Sequence, residues 1–100
     1  MSTSPTNTAS ILKPHITSFL HRRDPPKTFC PSEVARALSP AHLHSLGCQE
    51  WRDAMPLIRE VIWEMRADGA CEVTQKGEAL GEEVGVGDVK GPIRVRRAAG

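Results

Sequence analysis

Ile11, Leu12, His15, Ile16, Phe19 and Leu20 recur at spacings of three and four, which places them on one face of a helix running to about Arg22. Pro14 suits the first turn of such a helix, where a missing N–H costs little, so the start is expected between Ser10 and Lys13. The opening MSTSPTNT is polar and without period. Residues 1–9 are therefore expected as a disordered tail and residues 10–97 as a single domain. Arg23-Asp24-Pro25-Pro26 ends the helix, because a residue before proline is driven out of the α region. Lys27-Thr28-Phe29 reads as a very short strand. Cys30 to Leu38 predicts a compact helix with Pro31 at its first position, Glu33 in its first turn, and Val34, Ala35 and Leu38 toward the core. Ser39-Pro40 stops it, and Ala41 to Gly47 adds a short turn or helix.

From about Gln49 the apolar set Trp51, Ala54, Met55, Ile58, Val61, Ile62 and Met65 keeps helical spacing up to Gly69. Pro56 inside that run predicts a kink or a fresh start near Met55, with the main helix over 56–68. Residues 70–75 and 92–96 alternate apolar and polar and are expected to pair as antiparallel strands. Between them lie five glycines and the acids Glu78, Glu82, Glu83 and Asp88, a long hairpin loop. The expected core is Ile11, Leu12, Ile16, Phe19, Leu20, Val34, Leu38, Met55, Ile58, Ile62, Met65, Val73, Ile93 and Val95. Helices followed by a β-hairpin are the order of a winged helix. The expected fold class is accordingly α+β, a three-helix core with a helix-turn-helix and a C-terminal hairpin wing.

Composition narrows the classes of function. A chain of 100 residues, 39% hydrophobic and only 4% aromatic, has room for one small domain with an aliphatic core. Its apolar runs fall far short of the ~20 residues that span a bilayer, and its polar start lacks the apolar stretch of a secretory signal, so no membrane partner is expected. Three cysteines, an odd number at no metal-like spacing, point to reduced thiols and a cytoplasmic location. A net charge of +1 neither demands nor excludes a nucleic-acid partner.

The segments FCPSEVARAL (29–38), WRDAMPLIR (51–59), DGACEVTQKG (68–77) and KGPIRVR (90–96), in that order, resemble domain-of-unknown-function family 3253, over roughly residues 11–97. The resemblance implies a small winged-helix-like domain, found mostly in bacteria, with no established activity. The matching positions are Cys30 to Arg36, Trp51, Arg52, Met55, Arg59, Gly69, Thr74, Gln75, Gly77 and Gly91 to Arg94. The chain departs from the family pattern in its acidic loop and at Trp63.

Arg52, Arg59 and Arg66 follow one another at intervals of seven, which on a helix keeps them within ~40° on one stripe, with Trp63 beside it. A basic stripe with an aromatic suits phosphate contact. Asp53, Glu60 and Glu64 on the neighbouring stripe weigh against it and favour a solvated face laced by ion pairs, such as Glu60 with Arg59 or Arg66. Lys90, Arg94, Arg96 and Arg97 are the densest basic cluster, suited to phosphates or to keeping an edge strand soluble. The candidate nucleic-acid-binding residues are Arg52, Arg59, Trp63, Arg66, Lys76, Lys90, Arg94 and Arg96.

Glu33 and Arg36 are expected to form a local ion pair, and Cys30 to be a small buried cap rather than a nucleophile. His42, His44 and Cys48 match no recognised zinc spacing. No catalytic residue, cofactor or metal is assigned, a chain this small being expected to lack a deep pocket of several hundred Å³. The favoured reading is a small protein that binds double-stranded DNA, a candidate regulator. Its competitor is a protein-interaction module using an exposed Trp63 and the wing. Residues 90–97 carry four positive charges and residues 78–88 four negative ones, so the choice turns on where the loop lies.

Overall fold

The computed structural model describes residues 4–23, 27–81 and 83–98. Four helices come first: α1 (Ser4–Arg22), α2 (Pro31–Arg36), α3 (Pro40–Ser45) and α4 (Met55–Ala67), the last entered through a single 3₁₀ turn at Trp51–Ala54. Three strands follow, β1 (Cys71–Gln75), β2 (Glu78–Ala79) and β3 (Arg94–Arg97), with a second 3₁₀ turn at Val86–Asp88. The class is α+β.

α1 does not begin at Pro14 but passes through it. Residues 4–9, expected within a tail, are helical; residues 1–3 lie outside the described residues. Pro14 costs the helix a backbone hydrogen bond, a loss of about 3 kcal/mol in a helix interior. It stands on the exposed side, while Leu12, Ile16, Phe19 and Leu20 on the other side are buried, and their burial offsets the loss. Asp24, Pro25 and Pro26, the expected stop, lie outside the described residues.

Local chemistry sets the remaining helix ends. Pro31 and Pro40 each occupy a first turn, and the Ser39 hydroxyl accepts the His42 N–H at 3.1 Å. Pro56 starts α4 as expected, with the 3₁₀ turn taking up the preceding residues. At the other end Gly69 adopts φ +83°, Gly69 N–H donates to Arg66 and Ala70 N–H to Met65, which closes the helix in a Schellman motif.

The sheet order is β2-β1-β3, all antiparallel, and β1 pairs with β3 from Cys71↔Arg97 to Thr74↔Arg94. This is the predicted pairing, with β3 shifted from 92–96 to Arg94–Arg97. Phe29 adds a bridge on the free side of β3, exchanging hydrogen bonds of 2.9 and 2.8 Å with Val95. The long connection is more ordered than expected. It turns back at once through Lys76 and Gly77, both at positive φ, in the manner of a two-residue type I′ turn, and β2 pairs with the end of β1.

The core joins α1, α2 and α4 to the inner face of the sheet. Twelve of the fourteen expected core residues are buried; Ile11 and Met55 are only partly so, packed against its edge. Phe29, absent from that expectation, is fully buried and packs 5.4 Å from the Phe19 ring. Among the described residues no helix is long and apolar enough to cross a membrane.

Candidate interaction surface

The basic stripe expected on α4 is not an open surface. Arg59 Nη2 donates to the Gly91 carbonyl at 3.0 Å, Trp63 Nε1 to Val84 at 3.0 Å, and Arg66 to Val84 at 3.2 Å and Leu80 at 3.1 Å, with a further bond to Gly81. The cause lies in the loop. Backbone carbonyls between β2 and β3 that have no ladder partner still need donors, and these long side chains supply them. Trp63, expected to be exposed, is half-buried, with the Arg66 guanidinium 5.5 Å from its ring. The expected ion pairs of Arg59 or Arg66 with Glu60 give way to these bonds. What α4 turns outward is Pro56, Glu60, Glu64 and Ala67.

Arg52 does not extend the stripe, because it belongs to the 3₁₀ turn, whose three residues per turn break the α-helical step. It is exposed, pairs with Glu50 at 3.4 Å, and lies 4.6 Å from the Trp51 ring. Arg36 approaches the same indole, at 4.8 Å from the ring centroid. The expected Glu33–Arg36 pair is absent. Glu33 instead takes Arg23 at 2.7 Å and the Cys30 N–H at 2.9 Å, which leaves Arg36 to the ring. Burial alone would push the Glu33 carboxyl up, but the Cys30 N–H and Arg23, with Arg94 adding to them, outweigh it and hold it below the usual carboxylate value. Cys30 is half-buried rather than buried, and its sulfur accepts the Ser32 hydroxyl at 3.2 Å.

Around the sheet and its loop, Lys76 and Lys90 are exposed, and Gln75 Nε2 donates to the Lys90 carbonyl at 2.6 Å. Arg94 bonds the Thr28 hydroxyl at 3.0 Å, and Arg96 pairs across the strands with Glu72 at 2.8 Å. The acidic loop meets α4 through Trp63 and Arg66, and the Asp88 carboxylate turns back to the Gly85 N–H at 3.0 Å. Glu82 lies outside the described residues.

A solvent-open cleft of about 700 Å³ lies between α4, β1 and the loop, beside Trp63, Arg66, Cys71 and Leu80. Three of its polar side chains are engaged: Arg66 and Trp63 with carbonyls, and the Cys71 thiol with the Ile62 carbonyl at 3.7 Å. Burial pushes that thiol up to about 11, with Arg66 opposing and Glu72 adding to the effect. Burial and Asp53 also raise Cys48. Among the described residues no three His, Cys, Asp or Glu side chains come together; His42 meets the edge of His15 at 4.8 Å.

Sequence reasoning missed Arg36 beside Trp51 as a surface feature. The signal was present only as an arginine fifteen residues before the adjacent pair Trp51-Arg52, which no local periodicity connects. The architecture is thus a small α+β domain in which an antiparallel sheet backs a helical layer and a long loop is strapped to the last helix. The chain belongs to the family described as "Protein of unknown function (DUF3253)", whose model matches residues 9–98. A search of curated proteins returned no match.

Proposed function

We propose that this chain is a winged-helix-like protein-interaction module. The winged-helix reading is supported by the order α1, Phe29, α2, α4, β1, loop, β3, with Phe29 and β1 flanking β3. The choice of a protein partner rests on one observation. Arg59, Trp63 and Arg66 are turned to loop carbonyls, while the outward face of α4 carries Glu60 and Glu64. A helix that enters a DNA groove meets phosphates on both sides, and carboxylates there cost affinity. The free thiols at Cys30, Cys48 and Cys71 fit a reducing compartment, and the family resemblance fits a bacterial cytoplasm. The reading assigns no chemical step to the chain.

A second reading, duplex DNA held through the wing, draws on the exposed Lys76, Lys90 and Arg94. Fluorescence anisotropy with random duplex DNA over a salt series separates the two. The interaction reading expects flat anisotropy at low salt with tens of micromolar protein. Affinity that falls steeply with salt, with a log–log slope about one unit shallower for Arg94→Ala, overturns it in favour of the wing.

A further inference from the structure

Trp51 is half-buried and packs against the core, so its indole is fixed in place between α2 and α4. Two guanidiniums lie over its ring, Arg36 at 4.8 Å and Arg52 at 4.6 Å from the centroid, which holds two like charges within roughly one Debye length, ~10 Å at 0.1 M salt. Neither is well neutralised. Arg36 is exposed and takes no carboxylate among the described residues, since Glu33 is held by Arg23 and the Cys30 N–H. Arg52 has only Glu50 at 3.4 Å, with both side chains more than half exposed, a pair of little worth. Asp53, next in the chain, turns its carboxylate to the Gln49 and Glu50 N–H groups. The result is an indole with two guanidiniums over its ring, Arg36 without a carboxylate among the described residues and Arg52 weakly paired, the residue types that dominate interface energetics.

We infer that Arg36, Trp51 and Arg52 form a docking surface for an acidic peptide segment of a partner protein. Arg36 donates to a carboxylate through two parallel N–H groups, Arg52 donates to a second in place of Glu50, and an apolar side chain of the peptide packs on the exposed part of the indole. The surroundings favour a peptide over a nucleic acid. Glu50, Asp53 and Glu60 are all exposed on the same stretch of chain, and a continuous polyanion would run over them, whereas a peptide brings one or two discrete carboxylates. The inference rests on the interaction reading and gives it a location.

The test is fluorescence anisotropy with a short fluorescein-labelled peptide that alternates Glu, Leu and Asp, using the full chain. Wild-type protein should bind, and Arg36→Ala and Arg52→Ala should each raise Kd about tenfold, the loss expected on truncating an arginine anchor. Lys27→Ala, at an exposed lysine outside the patch, should leave Kd unchanged. Both arginines are exposed, and a thermal melt of each variant confirms that it is folded. No binding of the peptide by wild type overturns the proposal. Binding that Arg36→Ala and Arg52→Ala leave intact overturns the location while the interaction reading stands. Tighter binding of random duplex DNA, weakened by the same two variants, makes the patch a phosphate site and overturns both. Self-association that the two variants abolish assigns the surface to a second copy of this chain and overturns the peptide.

Discussion

Truncating Arg66 to Ala tests whether the loop is held by α4 or merely rests on it. The guanidinium donates to the carbonyls of Leu80, Gly81 and Val84 and lies over the Trp63 ring. A hydrogen bond to a charged group contributes about 1.5–3 kcal/mol when its loss leaves the partner dry. Here the acceptors sit on a loop that water can reach once the side chain is gone, so the three bonds together should contribute about 2 kcal/mol. Against a total stability of about 5–15 kcal/mol for a domain of this size, that lowers Tm by ~10 °C. The loss should be local as well as global. The Val84 N–H, bonded to Gly81, and the Asp88 N–H, bonded to Gly85, should exchange with deuterium faster through local opening of the loop, while the amides of β1 against β3 quicken by no more than the roughly thirtyfold that a global loss of about 2 kcal/mol allows. Arg66→Lys keeps the charge but not the fork, and should recover less than half of the loss. An Arg66→Ala protein that melts with the wild type and shows unchanged exchange at Val84 and Asp88 would refute the strap.

Three further outcomes follow from the core and from the titrating groups. Ile62 is fully buried, so Ile62→Ala should lower the unfolding free energy by about 2–5 kcal/mol in a urea titration; a loss under 1 kcal/mol would mean the site collapses around the change. Because the folded Glu33 carboxyl lies below its usual 4.5, it contributes stability that is present above that pH and lost as pH falls through the lower, folded value. Glu33→Gln should therefore flatten the acid limb of a stability-versus-pH curve, and an unchanged limb would show that the carboxyl titrates alike in both states. Cys71, buried and held protonated at neutral pH, should resist iodoacetamide until the chain unfolds, whereas the half-buried Cys30 and Cys48 react in the native state; mass spectrometry showing Cys71 modified as fast as in urea would contradict its burial.

What the sequence determined by itself was the local content. The three-and-four spacing from Leu12 to Leu20 and from Ile58 to Met65, the prolines at 31, 40 and 56, and Gly69 each act through a few neighbouring residues, and each helix they announce is present. Strand alternation at Cys71–Val73 and at Ile93–Val95 likewise predicted the β1–β3 pair. Pro14 misled because its cost is local while its compensation, burial on the opposite side of α1, is tertiary. Phe29, placed in a very short strand, was left out of the expected core for a related reason: a lone apolar residue has no period, yet its bridge to Val95 and its contact with Phe19 bury it completely.

Tertiary structure alone decided the surfaces. Arg66 reaches acceptors 14 to 18 residues away, Arg59 one 32 away, and Glu33 a partner ten residues back instead of the arginine three residues on. A charged side chain pairs with whatever the fold brings near it, and many sequence-local pairings lie within a fraction of a kcal/mol of one another, so local spacing does not choose among them. Whether α4 offers cations or carboxylates to a partner, and whether two arginines meet at one tryptophan, depended on where the loop and α2 came to rest, which packing of the apolar core sets.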